Sequence, residues 1–202
     1  MNVTLDELVP PVRIVSAEPM SLDAFWEFCA ENRDLRCERL PNGEIVVMTP
    51  TKRGTGSRNG YIVRVLGNWA EEDGRGDYFD SSTGFELPDG AVLSPDASWV
   101  SFPKIKAAEK DGKELPLCPE FVIELRSESD RLAPAQEKMR RWMSYGVELG
   151  WLVDPQRKSV EVYRTGQEKP DVLEGVTSVY GEGPVGGFVL ELGRVLGSTN
   201  HE

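Results

Sequence analysis

Histidine is almost absent from this sequence: the single one, His201, is the penultimate residue. Three cysteines, Cys29, Cys37 and Cys118, make an odd number with no metal-type spacing. A zinc site and any Cys-His or Ser-His catalysis therefore lack parts. The thiols read instead as buried groups in a reducing cytoplasm. Long apolar runs are missing too: no window approaches the ~20 residues that span a bilayer. The opening MNVTLDELVP has no basic stretch leading into an apolar one, so neither a secretory signal nor membrane residence is expected. Positive charge is in deficit, and the net charge is −11. That excludes a general nucleic-acid coat protein, which displaces counterions with a basic surface. It leaves room for an enzyme with a local basic cleft.

At 202 residues the chain suffices for one well-buried core and is short for two. A single domain over 1–202 is expected, with its core at about 20–165 and an extension at each end. Ser21 reads as the N-cap of a helix over LDAFWEFCAEN, with Leu22, Phe25, Trp26 and Cys29 on one side. RCERL and EIVVM flank Pro41-Asn42-Gly43, a hairpin whose Asn-Gly supplies positive φ angles. The glycine-bearing TPTKRGTG reads as a mobile loop that could border a DNA groove. A second helix follows over SRNGYIVRVLGNWAEE, ended by Gly74 and Gly76. YFDSSTGFEL and AVLSPDASWVSF are two strands joined at Pro88-Asp89-Gly90. A lysine-rich helix or excursion fills 103–116, and CPEFVIELRS has the continuous apolar character of a central strand. Asp130 reads as the cap of a third helix, with Pro134 in its first turn and Gly146 at its end. LGWLVD and SVEVYR pair across Asp154-Pro155, and short β-like pieces (DVLEG, GFVLEL) precede a frayed tail. The order suits an α/β (α+β) fold with one mixed central sheet flanked by helices.

Basic residues cluster at Lys52, Arg53, Arg58 and Arg64, and again at Lys138, Arg140 and Arg141. Taken alone, each cluster reads as a solvated helix face. The five tryptophans, Trp26, Trp69, Trp99, Trp142 and Trp151, are expected in the core rather than stacked on bases.

Two carboxylates sit where structure alone does not want them. Asp96 follows Pro95 in SPDASWV, and Glu124 lies between Ile123 and Leu125. An ionised carboxylate in a buried strand is costly unless a cation, donors or solvent meets it. Strand alternation puts Val122, Glu124 and Arg126 on one face, so a Glu124–Arg126 pair is one reading. The other is that the two strands lie side by side and their carboxylates converge as an oxygen site for magnesium.

The motifs Ser94-Pro95-Asp96, Pro119-Glu120-Phe121-Val122-Ile123-Glu124-Leu125-Arg126-Ser127, Glu137-Lys138-Met139, Tyr145-Gly146-Val147 and Gly150-Trp151-Leu152-Val153-Asp154-Pro155 together resemble the Uma-two family. This is a family of small bacterial proteins in the PD-(D/E)xK nuclease superfamily, and the resemblance runs over roughly Leu22 to Arg164. It implies a restriction-endonuclease-like core in which Asp96 and Glu124 hold Mg2+ or Mn2+ for hydrolysis of DNA phosphodiesters. The superfamily lysine two residues after Glu124 is replaced by Arg126, which keeps the charge but will not serve as a general base. The resemblance offers Lys138, on the next helix, as the substitute, with a snorkelling border lysine as the other reading. Glu38 matches an early acidic residue, either a further ligand, a group that supports the ligands, or an exposed strand glutamate. Asn59 stands near where relatives carry a histidine and cannot take over acid–base work. The expectation is thus a cytoplasmic Mg2+-dependent endonuclease using Asp96, Glu124, Lys138, Arg126 and Glu38, forming a homodimer by analogy. The alternative is a degenerate nuclease fold acting as a nucleic-acid-binding or protein-interaction module.

Overall fold

The computed structural model of the chain describes residues 12–15, 18–48 and 50–197. The opening decapeptide, His201 and the expected frayed tail lie outside them. After β1 (Val12–Ile14), the Ser21 hydroxyl accepts from Ala24 N at 3.2 Å and caps α1 (Leu22–Glu31), as its sequence suggests. The helix buries Phe25 and Phe28, while Trp26 is 43% exposed. Trp26 therefore corrects the expectation of five core tryptophans. The buried stripe runs through 22, 25, 28 and 29, and position 26 lies at its margin, about 90° round the helix.

β2 (Arg36–Arg39) and β3 (Ile45–Met48) form the expected hairpin. Only Gly43 takes a positive φ, +80°. Gly43 N donates to Leu40 O and Leu40 N to Glu44 O, so one left-handed glycine closes a longer turn. Asn42 contributes through its side chain, which accepts from Glu44 N at 3.1 Å.

α2 (Arg53–Asp73) starts earlier than its apolar periodicity indicates. Arg53 to Gly56, expected as loop, are helical, because buried Thr55 anchors that turn against the ~1 kcal/mol that a helical glycine costs. Gly74, at φ +67°, ends the helix. Gly76 does not; it begins β4 (Gly76–Asp80), where a Cβ would lie 2.3 Å from Val100 O.

The next stretch holds four strands rather than two: β4, β5 (Phe85–Glu86), β6 (Val92–Leu93) and β7 (Ala97–Ser101). β5 and β6 join one sheet, β4 and β7 another. The chain crosses between sheets at Ser94-Pro95-Asp96, where Pro95 has no N–H for a ladder. Asp96 accordingly stands just ahead of a strand rather than inside one. The lysine-rich excursion is α3 (Phe102–Ala107) with a hairpin of β8 (Glu109–Lys110) and β9 (Lys113–Glu114). β10 (Phe121–Leu125) leads into α4 (Leu132–Ser144). Asp130 does not cap this helix; its carboxylate accepts from Ser127 N at 2.8 Å. β11 (Leu149–Asp154), β12 (Ser159–Arg164), β13 (Asp171–Glu174), β14 (Ser178–Tyr180), β15 (Val189–Glu191) and α5 (Gly193–Leu196) complete the described chain.

The larger sheet has the order β13-β12-β11-β10-β7-β4. β10 and β11 are parallel, joined by α4, and the other neighbours are antiparallel. The smaller sheet is antiparallel, in the order β1-β3-β2-β6-β5. Every residue of β10 and β11 is buried. One face of the larger sheet presents Phe121, Ile123 and Trp151 to α2, β15 and α5. Phe188, Leu190, Leu192 and Val195 belong to that core, so the segment beyond 165 helps fill it. The other face presents Val122 and Leu152 to Met139 and Trp142 of α4 and to Phe85 and Leu93 of the smaller sheet. The result is the expected α+β architecture, a mixed central sheet between helices.

Candidate active site

β7 runs antiparallel to β10 with Ala97 opposite Ile123. The residue before Ala97 therefore meets the residue after Ile123. Asp96 Oδ2 accepts from Leu125 N at 2.8 Å, a side-chain bond that prolongs the ladder past Pro95 and leaves Oδ1 for a further partner. Glu124 points to the α4 side, as strand alternation requires. Its Oε1 accepts from Trp142 Nε1 at 2.7 Å. Lys138, one helical turn before Trp142 on the same face, places Nζ 2.9 Å from Oε1 and 3.2 Å from Oε2 of Glu124.

Lys138 Nζ also lies 2.8 Å from Glu38 Oε1 and donates to Ser94 O at 2.7 Å. An ammonium has three donors, and Glu38, Glu124 and Ser94 use them. Glu38 comes from the smaller sheet and is buried; the same oxygen that meets Lys138 accepts from Ser94 N at 3.1 Å. Both sheets thus meet at the segment where the chain passes from one to the other. Glu38, Asp96, Glu124 and Lys138, far apart in sequence, come together there.

Two carboxylates pair with the half-buried ammonium of Lys138 and a third, Asp96, feels its charge, and their protonation shows it. Burial pushes Glu124 up; Lys138 opposes that, Asp96 and Glu38 add to it, and the carboxyl ends at about 7. Asp96 is also raised, by burial first, against the pull of Lys138, the Leu125 N–H and Arg36. For Lys138, burial alone would lower the pKa, but Glu124, Glu38 and Asp96 outweigh it and hold the group above its ordinary value. It stays an ammonium at any working pH.

Arg126 is not part of this cluster. Its guanidinium lies 2.7 Å from Asp154 Oδ2 and donates to Asp130 O at 3.1 Å. The Glu124–Arg126 pair, one of the two readings of the sequence, does not form because β10 ends at Leu125. Arg126 N donates to Val153 O, and the side chain leans to the end of β11, where Asp154 is buried. Asn59, expected at the start of α2, lies in its second turn, and its buried Oδ1 has no hydrogen-bond partner among the described residues. Lys52 and Arg53 are exposed at the start of α2, and Lys52 Nζ comes 4.0 Å from Glu128 in the loop after β10. That brings positive charge to the rim of the same sheet end.

Among the described residues, no group of three or more His, Cys, Asp or Glu side chains converges as a metal cage. Asp96 and Glu124 alone fit a cation that keeps much of its water and takes one or two carboxylates, as Mg2+ does. The surplus of negative charge and the all-oxygen donors favour such a hard ion. Glu38 is engaged by Lys138 and Ser94 N.

Sequence reading did not single out Trp142 as a site residue, nor Arg36 or the Ser94 backbone. The i, i+4 spacing of Lys138 and Trp142, and the alternation that puts Arg36 on the face of Glu38, were the available signals. Glu38 and Ser94 also line a cleft of about 250 Å³ between α1, β2 and the 81–84 turn. No helix among the described residues is long and apolar enough to cross a membrane.

Comparison with known proteins places these features in context. The Uma2 family, described as "Putative restriction endonuclease", matches over residues 22–193. No curated protein matches. Among solved structures, the chain is similar to "a putative nuclease belonging to DUF820 from Anabaena variabilis ATCC 29413", with a TM-score of 0.72 and 20% identity over 88% of this chain and 98% of that one. It also aligns with part of a cryoEM structure of a DrdV–DNA complex, with a TM-score of 0.41 and 16% identity over 60% of this chain and 10% of that one. The first likeness shows a shared fold.

Proposed function

The chain belongs to the Uma2 family, and on that premise we propose that it is a Mg2+- or Mn2+-dependent nuclease that hydrolyses phosphodiester bonds of DNA. One observation carries the reading: at the junction of two sheets Glu38 and Glu124 pair with the single ammonium of Lys138, whose charge also acts on Asp96 beside them. Folding has no need of this arrangement, since buried carboxylates in excess of their partners cost stability. Strained electrostatics of this kind concentrate at functional sites.

A divalent cation held by Asp96 and Glu124 would polarise a phosphate oxygen and make water a better nucleophile. The chain's own residues prepare for that. Leu125 N–H fixes one oxygen of Asp96 and leaves the other available. Trp142 orients Glu124 from the core side. Lys138 offsets Glu38 and Glu124 and ties both sheets to Ser94 O; with its donors occupied and its pKa raised, it positions the carboxylates and does not accept a proton. Arg126 braces the loop between β10 and α4 and so sets the height of Lys138. In the reaction, a water oxygen bonds to phosphorus as one P–O ester bond breaks. One site per chain would serve one strand, so a homodimer is the form in which a duplex would be cut through.

A second reading has one observation in its favour: both Glu124 oxygens already have donors, as in a salt-bridged, inactive site. Thermal unfolding of the wild type and Glu124→Gln, each with and without Mg2+ or Mn2+, separates the two. Metal at a hundred times its Kd should stabilise the wild type by about 2.7 kcal/mol, a shift of several degrees, and leave the variant unmoved. A wild type that shows neither metal stabilisation nor metal-dependent cleavage of duplex DNA would establish the inactive reading instead.

A further inference from the structure

We propose that the cleft beside Glu38 is a nucleotide subsite, taking one unpaired nucleotide of the substrate strand with its phosphate on Arg36 and its base on Trp26. This rests on the nuclease reading above and adds to it a preference for single-stranded or locally unpaired substrate.

The cleft shares Glu38 and Ser94 with the carboxylate cluster, while Asp96, Glu124 and Lys138 do not line it, so an occupant would lie next to the reacting centre rather than on it. At about 250 Å³ it falls below the ~300 Å³ at which drug-sized pockets begin. It suits one nucleotide, and a base still in a duplex could not enter.

Two guanidiniums line the cleft, Arg33 and Arg36, and Arg36 is the one whose charge acts on Asp96. The donors of Lys138 are occupied, and Arg126 is held by Asp154 and Asp130 O. Arg39 is buried and gives its donors to Met20 O, Leu40 O and Gly90 O. Arg36 is exposed and spends one nitrogen on Ser81 O at 2.7 Å, which leaves most of its five N–H donors. It shares a β2 face with Glu38, lines the cleft, and its charge is felt at Asp96. A guanidinium there can grip a phosphate bidentately.

The base partner is Trp26. The indole is 43% exposed at the margin of the buried face of α1, tilted on Phe25 at 5.2 Å between centroids, and it lines the same cleft. Exposed aromatics beside cationic grooves stack single-stranded bases regardless of sequence. Gly84 keeps the space open: a Cβ there would come 2.9 Å from Val92 Cγ1 and 3.4 Å from the Trp26 ring.

The test is fluorescence anisotropy of a labelled single-stranded thymidine hexanucleotide and a labelled mixed-sequence duplex, titrated with the full chain in EDTA. The wild type should bind the hexanucleotide more tightly than the duplex. Trp26→Ala and Arg36→Ala should each weaken hexanucleotide binding about tenfold, and Trp26→Phe, which keeps a stacking face, should recover most of it. Thermal midpoints of the variants, taken alongside, identify any that fail to fold. Hexanucleotide binding unchanged in folded Trp26→Ala and Arg36→Ala would overturn the subsite while metal-dependent cleavage still upheld the nuclease. A wild type that neither binds nor cleaves either oligonucleotide would overturn both.

Discussion

At the scale of single residues, the central fact is an imbalance: three carboxylates, one half-buried cation. Removing the cation and removing a carboxylate should therefore have opposite effects. Lys138→Met leaves Glu38 and Glu124 facing each other without compensation, and breaking a buried pair this way costs about 3–5 kcal/mol; urea unfolding should show that loss. Glu124→Gln removes a surplus charge and keeps an acceptor for Trp142. Its metal-free form should be as stable as the wild type or more so, while metal-dependent cleavage disappears. A loss of several kcal/mol in Glu124→Gln would mean that the cluster is a structural salt bridge. Glu124 also predicts a pH dependence. Its folded pKa of about 7 stands above the usual 4.5, so the folded state holds the extra proton between those values. Its contribution to stability is fully present below about pH 4.5 and is lost as pH rises through about 7. Lys138, raised above its ordinary value, contributes equally across that window. Metal-free wild type should thus lose stability relative to Glu124→Gln between pH 5 and 8, and parallel urea midpoints would contradict it.

At the scale of elements, the site depends on how two helices are held against one sheet. α4 sets Lys138 and Trp142 one turn apart, and its entry loop is pinned by Arg126 to Asp154. Arg126→Met should cost about 2 kcal/mol, the worth of a hydrogen bond to a charged group, while metal stabilisation persists. Abolished metal binding with unchanged stability would return Arg126 to the chemistry that its sequence position suggests. α2 lies so close to β4 that a Cβ on Gly67 would sit 2.7 Å from the Tyr78 ring. Alanine improves helix propensity by about 1 kcal/mol, but overpacking costs about 1–3 kcal/mol. Gly67→Ala should therefore lower the unfolding midpoint; a rise would show that helix and strand can separate freely.

At the scale of the whole molecule, the last thirty residues matter more than their broken pattern suggests. Phe188, Leu190, Leu192 and Val195 are buried in the larger core, and burial of each such side chain is worth about 1.5–3 kcal/mol. Together they rival the ~5–15 kcal/mol that keeps a domain folded. A chain ended at residue 165 should show no cooperative thermal transition, and a sharp melt would make the segment dispensable. The sequence by itself determined the elements whose signals are local. These include the Ser21 cap, the left-handed glycines at 43 and 74, the buried central strands and the alternation that turns Glu124 toward α4. It also marked Asp96 and Glu124 as out of place, because a carboxylate beside Pro95 or inside FVIEL breaks a short-range rule. Tertiary structure alone decided which partners those residues have. Whether Arg126 or Lys138 meets Glu124 depends on where β10 stops and how α4 lies, and Glu38 joins only because β6 delivers the chain from one sheet to the other. Those are distances between segments up to a hundred residues apart, and packing of apolar faces, not any local pattern, sets them.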